Sequence, residues 1–137
     1  MPDLQRFFVF MATAFLVFVA LLRFTVRGRA TKPSMATICA LGFVVVVVGM
    51  LFARYSHLAL PQLSWVVYYG VPALDNVLLP PLWLRFSRRE IAQYLPLAWL
   101  TAPTIHLFFS LFVGWHDYMP FPAYIPSVAE MIRHAVR

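Results

Sequence analysis

The stretch MATICALGFVVVVVGMLFA, Met35–Ala53, carries no charged side chain and decides the fold class. At about 1.5 Å per helical residue, it is long enough to cross the ~30 Å hydrocarbon core of a bilayer. The valine run Val44–Val48 would weaken a helix in water, but a backbone in lipid has to satisfy its own hydrogen bonds. The stretch therefore predicts a membrane-spanning helix at about residues 35–55.

Apolar segments on either side repeat this pattern. The first is followed by cations rather than by a cleavage site of small residues, so it predicts a retained helix and not a cleavable signal. We expect an all-α integral membrane protein, with four transmembrane helices in a bundle that forms a single domain over residues 1–137. Beside the helix at 35–55, the predicted spans are 7–26, 63–84 and 95–115.

The composition excludes the usual soluble classes. The chain has 137 residues, of which 62% are apolar and 12% are charged, and its mean hydropathy is +0.77. An average soluble domain is about a quarter charged, and a small globule could not bury this much apolar surface. A single cysteine, Cys39, excludes a disulfide scaffold.

Charge predicts the orientation. Lys and Arg together number 11 against 5 acidic residues, and the cations cluster in two loops at 23–34 and 85–94. Cytoplasmic loops carry the excess of Lys and Arg, so both loops should be cytoplasmic and both termini outside; in a bacterium this would be the inner membrane. The cations form no continuous basic face, so we expect no nucleic-acid partner.

Two Ser-x-x-Glu capping boxes mark helix starts, at Ser87–Glu90 and at Ser127–Glu130. The first predicts a short interfacial turn, Arg88 to Tyr94, ahead of the fourth span. The second begins an amphipathic helix at about residues 127–137, which should lie on the membrane surface.

One stripe of the third span carries nearly all of its polar and aromatic content. At about 100° per residue these side chains share one face, which should turn toward the bundle interior. Pro72 also frees the carbonyl of Tyr68, and Pro80 frees that of Asn76; each carbonyl then needs a partner or lines a polar cavity. The stripe consists of Trp65, Tyr68, Tyr69, Pro72, Asp75, Asn76, Leu79 and Trp83.

An ionisable group at membrane depth is costly and is a candidate site by default. Asp75 and His106 are predicted at comparable depth, where they would meet directly or through water. Such a contact would serve as a helix-locking polar pair, as part of a ligand pocket, as acid–base machinery formed by Asp75, Asn76 and His106, or in conduction. The ligand-binding residues would be Trp65, Tyr68, Tyr69, Trp83, Trp99 and Ser110.

Two further groups of residues have simpler interpretations. The cluster Arg85, Arg88 and Arg89 is either a topology determinant or a binding site for anionic lipid headgroups. His116 and Asp117 form an interfacial hydrogen-bonding pair. The four histidines lack metal-ligand spacing, so no metal site is expected, and the sequence specifies no cofactor.

Two functions follow. The first is a small accessory or assembly subunit that holds a larger membrane complex, a lipid or a hydrophobic cofactor, with the bilayer and other membrane subunits or further copies of itself as partners. The alternative is an integral-membrane enzyme acting on a lipid or isoprenoid, with Asp75 as general acid or base. The sequence leaves both open.

Overall fold

The computed structural model describes residues 2–116 and 124–137, and every regular element in these ranges is helical. Two π-helical segments, Phe43–Val48 and Phe109–Val113, lie within the continuous helical stretches Met35–Ala59 and Arg88–Val113. The α-helices are α1 (Pro2–Thr25), α2 (Met35–Gly42), α3 (Gly49–Ala59), α4 (Trp65–Trp83), α5 (Arg88–Phe108) and α6 (Val128–Ala135).

Three of these helical stretches are long and apolar enough to cross a membrane: Asp3–Thr25, Met35–Ala59 and Arg88–Val113. The chain is therefore a helical protein with a membrane location. The predicted third span is helical as α4, but it does not reach the same hydropathy, because Asp75, Asn76 and three prolines dilute its apolar content.

The predicted helix start at the first capping box is confirmed, but the prediction of a short turn, Arg88 to Tyr94, separate from the fourth span is wrong. One continuous helix, α5, begins at Arg88 and runs through Pro96. The Ser87–Glu90 capping box starts this helix, since Ser87 N donates to Glu90 Oε2 at 2.8 Å and Glu90 N donates to Ser87 Oγ at 3.3 Å. Pro96 removes one hydrogen bond, which is too little to end a helix with favourable packing on both sides.

The chain divides into two compact units, Met1–Ala98 and Trp99–Arg137, and the prediction of one domain stays a prediction. The middle of the first unit is one continuous helix, hereafter the central composite helix, which consists of α2, the π-helical segment Phe43–Val48 and α3. It lies between α1 and α4. Gly42 and Gly49 permit close approach on two sides, as small residues do in membrane helices. A methyl group on Gly42 would lie 2.9 Å from the ring of Phe15 in α1, and one on Gly49 would lie 3.4 Å from Pro72 in α4.

The core of the first unit is mostly aliphatic and includes the rings of Phe18, Phe86 and Tyr94. It collects the inward faces of α1, the central composite helix and the start of α5. Its buried members are Phe18, Val19, Leu21, Leu22, Val26, Ile38, Leu41, Val45, Val46, Leu84, Phe86, Tyr94 and Ala98.

In the second unit, the π-helical end of α5 and α6 pack together. Gly114 ends the helix in the left-handed region, with φ 75°, which a residue with a β-carbon would adopt only at a cost. Trp115 then stacks on Phe109 at a centroid distance of 5.4 Å. The second capping box is confirmed, because Ser127 and Glu130 satisfy each other's backbone N–H groups at the start of α6.

Candidate functional site

The stripe on α4 is divided between the inside and the outside of the first unit. Tyr68 is buried, its ring meets His57 edge-on at 5.1 Å, and its hydroxyl donates to the Leu60 carbonyl. Trp65 and Trp83 are exposed because they are the first and last residues of α4, where neighbouring helices no longer cover them. The expectation that the whole stripe faces the interior is therefore wrong.

Asp75 is also exposed, so it does not lie in an enclosed pocket of this chain. Asn76 is half-buried, and the two residues point about 100° apart around the helix axis. Asp75 sits at the edge of the stripe, and Pro72 in the same helix shifts the phase at that edge. On the outward side of Asp75 the helix face is aliphatic, with Val71 one turn before it and Leu78 one turn after it both exposed.

Asn76 is the inward polar residue of α4. Pro80 lacks the N–H that would bond the Asn76 carbonyl, and the Tyr94 hydroxyl of α5 takes that place. The Tyr94 oxygen lies 2.6 Å from the Asn76 carbonyl oxygen and 2.8 Å from its Oδ1. The Asn76 carbonyl, which the sequence predicts to be free, thus has a hydrogen-bond donor. The sequence alone does not single out Tyr94 as that donor.

A second polar cluster, the Arg29 junction, joins the α1–α2 loop to the α4–α5 turn. Arg29 Nε donates to Glu90 Oε1 and Arg29 Nη2 donates to Glu90 Oε2, each at 2.7 Å. Nη2 also donates to the carbonyl oxygens of Leu84 at 2.7 Å and Arg85 at 3.2 Å. The hydrogen bonds to Glu90 raise the pKa of Arg29 above its ordinary value, so this guanidinium is a fixed structural cation.

The turn that ends α4 has an unusual residue at its apex. Phe86 N donates to the Pro81 carbonyl at 3.0 Å, and Arg85 between them has φ 50°. This is the Schellman ending of a helix, in which glycine is the usual left-handed residue. Arg85 takes that position despite its β-carbon, and the Arg29 junction binds its carbonyl.

Comparison with known proteins finds no relative of this chain. The chain matches no protein-family model, no curated protein and no solved structure.

In the second unit, Ser110 is fully buried and fully bonded. Its Oγ donates to the Ile125 carbonyl at 2.7 Å and lies 2.9 Å from His116 Nδ1. The hydroxyl proton of Ser110 is therefore engaged within this unit, and its predicted role as a ligand-binding residue stays a prediction. Trp99 is 78% exposed and His106 is half-buried. The meeting of Asp75 with His106 stays a prediction.

His116 connects this buried serine to α6. Its ring lies 4.6 Å from the Tyr124 ring, and its Nε2 lies 3.8 Å from Glu130 Oε2. Tyr124 donates to the same Glu130 oxygen at 3.1 Å. Asp117, the partner that the sequence suggests for His116, lies outside the described residues. Within the described ranges, no group of three or more His, Cys, Asp or Glu residues could hold a metal ion.

Sequence reasoning missed three partners: Arg29, Tyr94 and His116. Arg29 was interpreted only as one of several loop cations, and nothing local distinguishes it from Arg27 or Lys32. Tyr94 had a signal, because the carbonyl that Pro80 frees calls for a donor from a neighbouring helix. No sequence signal indicated the contact of His116 with Ser110, because Ser110 lies within a helical segment and the two side chains meet only after Gly114 turns the chain.

Proposed function

We propose that this chain is a small polytopic membrane subunit that holds a larger membrane complex, a lipid or a hydrophobic cofactor. The observation that carries this proposal is the exposed Asp75 on the aliphatic outer face of α4. A carboxylate facing hydrocarbon costs ~3 kcal/mol or more. A partner that covers α4 and offers Asp75 a hydrogen-bond donor or a cation removes that cost.

The proposal includes α4 as a fourth crossing. The Arg29–Glu90 contact joins the loop after α1 to the turn after α4, so both loops lie at one end of the first unit. The central composite helix leaves that end, and α4 has to return to it. At about 1.5 Å per residue, α4 covers about 28 Å, close to a bilayer core.

The orientation in the proposal follows the charges. The loops at 23–34 and 85–94 share one end, and their cations favour the cytoplasmic side, with both termini outside. The amphipathic helix α6 then lies at the outer interface, where Met131, Ile132 and Val136 form an exposed apolar face.

The partner surface on α4 is predominantly aliphatic with one polar point. Leu74, Leu78 and Leu82 are exposed around Asp75, and the exposed tryptophans Trp65 and Trp83 end the helix at the levels where such rings favour the interface. We expect the partner to be another membrane helix, of a second copy or of a different subunit, with its donor at the depth of Asp75.

The alternative function is an integral-membrane enzyme for a lipid or isoprenoid. It would need Asp75 and the aromatic wall to enclose a substrate, but Trp65, Tyr69 and Trp99 are all more than half exposed in this chain. A wall open to its surroundings excludes neither water nor lipid from the reacting group. The enzyme hypothesis therefore requires a partner that covers these aromatic side chains, so the partner would have to bind before any reaction could occur.

The test is site-specific photo-cross-linking in native membranes. A photoreactive residue at Leu78 on α4 is compared with one at Leu16 on α1, since the two leucines are 51% and 67% exposed. We expect one protein adduct of fixed mass from position 78 and only lipid adducts from position 16. An adduct at twice the 15.7 kDa chain mass identifies a second copy. Lipid adducts alone at both positions would contradict the proposal.

A pair of companion variants tests the part that Asp75 has in this contact. Asp75→Leu removes both the charge and the hydrogen-bonding atoms, whereas Asp75→Asn keeps an acceptor and adds a donor. We expect the Leu78 adduct to decrease severalfold with Asp75→Leu and much less with Asp75→Asn. An adduct that neither change affects would mean that Asp75 has no part in the contact.

A further inference from the structure

The four cations of the α1–α2 loop region have different roles. Arg29 is bound to Glu90 and to two backbone carbonyls. The other three, Arg23, Arg27 and Lys32, line a cleft of about 280 Å³ that lies within the first unit. A topology signal requires only that cations remain on one side of the membrane, and it does not require that they converge on a cavity.

The cleft combines a basic rim with an apolar floor. Val26 and Ile38 are buried at its base, and Met35 and Pro33 complete the wall. None of the lining residues is acidic. Glu90, which is close in the fold through Arg29, already has its carboxylate in a bidentate pair. The charges around the cleft are therefore not balanced by its own lining.

One of the three cations is already held in place. Arg27 Nη1 donates to the Phe24 carbonyl at 2.8 Å, and the guanidinium lies 3.7 Å from the centroid of the Phe24 ring. A guanidinium has five N–H donors in a fixed plane, so this contact leaves most of them for a ligand. A side chain that is fixed in advance loses less conformational entropy on binding.

We propose that this cleft, hereafter the Arg23 cleft, binds a phosphate group, carried by the headgroup of an anionic phospholipid or by a soluble phosphate. Three cations that line one cleft without an acidic neighbour in its lining favour an anion such as a phosphate, and guanidinium groups bind phosphate through paired N–H donors. The cleft lies between the end of α1 and the start of α2. In the proposed topology this end of the two helices lies at the headgroup level, and the apolar floor suits the adjoining glycerol and acyl carbons. The inference deepens the proposed function, on which it rests, by naming the class of lipid that the subunit holds.

The cleft also differs from the basic cluster that the sequence suggested. Arg85, Arg88 and Arg89 are exposed side chains at the same end of the unit, but they do not line this cleft. Both groups carry three positive charges, so one is a charge-matched control for the other. If lipid binding came only from general attraction to an anionic surface, loss of either group of cations would weaken it equally. If the cleft is a specific site, loss of its own three cations would weaken binding more.

The experiment is native mass spectrometry of the full chain in mild detergent, titrated with phosphatidylglycerol or with phosphatidylcholine of the same acyl chains. The triple variant R23Q/R27Q/K32Q is compared with R85Q/R88Q/R89Q. A cation near a membrane surface contributes about fivefold to the attraction of an anionic lipid. We expect the first variant to lose tenfold or more in affinity for phosphatidylglycerol, and the second to lose less than threefold. Equal losses, or no preference of the unaltered chain for phosphatidylglycerol, would overturn the proposal.

A second arm identifies the source of the phosphate. Inorganic phosphate is added at millimolar concentration to the chain with bound phosphatidylglycerol. Retention of the lipid assigns the site to a headgroup, and displacement that is absent in R23Q/R27Q/K32Q assigns it to a free phosphate. The charge-conserving variant R23K/R27K/K32R keeps three cations but loses the paired donors of Arg23 and Arg27, so it should bind more tightly than R23Q/R27Q/K32Q and less tightly than the unaltered chain. This comparison separates lost charge from lost fold.

The same variants separate this inference from the proposed function. If the Leu78 adduct persists in R23Q/R27Q/K32Q while lipid preference is unchanged, the cleft proposal fails and the partner proposal stands. If lipid preference depends on the cleft but position 78 gives only lipid adducts, the partner proposal fails and the cleft remains.

Discussion

Arg29 and Glu90, 61 positions apart, form a bidentate ion pair with both N–O distances at 2.7 Å. Glu90 also caps α5 through the Ser87 backbone N–H at 2.8 Å. One carboxylate therefore starts a helix and binds it to the loop that follows α1. The pair holds the two basic loops at one end of the unit, and the proposal that α4 is a fourth crossing rests on it.

We predict that Arg29→Gln lowers the free energy of unfolding by about 2–3 kcal/mol, because it leaves a largely buried carboxylate with fewer charged donors. Denaturation in mixed detergent micelles measures the change. Arg88→Gln is the control, since Arg88 is exposed and should change stability by less than about 0.5 kcal/mol. Equal effects of the two substitutions would mean that the ion pair does not hold the junction.

Tyr94→Phe should cost about 1–3 kcal/mol, because it removes the donor from the carbonyl that Pro80 leaves unbonded. Tyr69→Phe, on a ring that is 58% exposed, serves as the control. Pro80→Ala restores a backbone N–H at position 80. In that background the additional cost of Tyr94→Phe should fall, and a double-mutant cycle measures the coupling. Additive effects would show that the tyrosine does not compensate for the proline.

Gly42→Ala should be less stable than Gly70→Ala by at least about 1 kcal/mol. Both changes bring the same gain in helix propensity, but the methyl group at position 42 would meet the Phe15 ring at 2.9 Å, whereas at position 70 the nearest side-chain atom is 3.8 Å away. Unfolding of the two variants in the same micelles gives the comparison. Should Gly42→Ala be the more stable, the close approach of α1 and α2 is not as described.

Arg85→Gly should raise stability by about 1 kcal/mol, since a left-handed residue with a β-carbon is strained there and glycine is not. Arg85→Ala keeps the β-carbon and removes the charge, so it separates strain from electrostatics. If alanine stabilises as much as glycine, the strain at φ 50° is not the cause.

The start of α6 should loosen in acid. Hydrogen bonds from the Ser127 backbone and the Tyr124 hydroxyl lower the pKa of Glu130 below its ordinary value of 4.5. A carboxyl with a lowered folded-state pKa stabilises the fold above its unfolded-state pKa, and it loses that contribution as the pH falls through the folded-state value. Hydrogen exchange of the α6 amides, corrected for intrinsic rates, should show less protection at about pH 3 than at about pH 6. Glu130→Gln should remove most of this dependence, and an unchanged dependence in that variant would assign the effect to another group.

The sequence by itself determined the helical class, the membrane location and the starts of α5 and α6. These features depend on residues that are close in sequence: an uncharged run as long as Met35–Ala53 favours lipid, and a Ser-x-x-Glu box needs only its own turn. It also predicted that the Asn76 carbonyl needs a donor, since Pro80 is four residues away.

Only the tertiary structure decided which side chains supply the hydrogen-bond donors and counterions that these groups require. Four cations between Arg23 and Lys32 are equivalent as sequence, and the fold selects Arg29 for Glu90 and directs the other three to the Arg23 cleft. It likewise turned Tyr68 and Asn76 inward and Asp75 outward, although all three share one stripe. The physical reason is that a stripe about 120° wide is broader than the contact with one neighbouring helix, and the rotation that selects part of it is set by packing between distant segments.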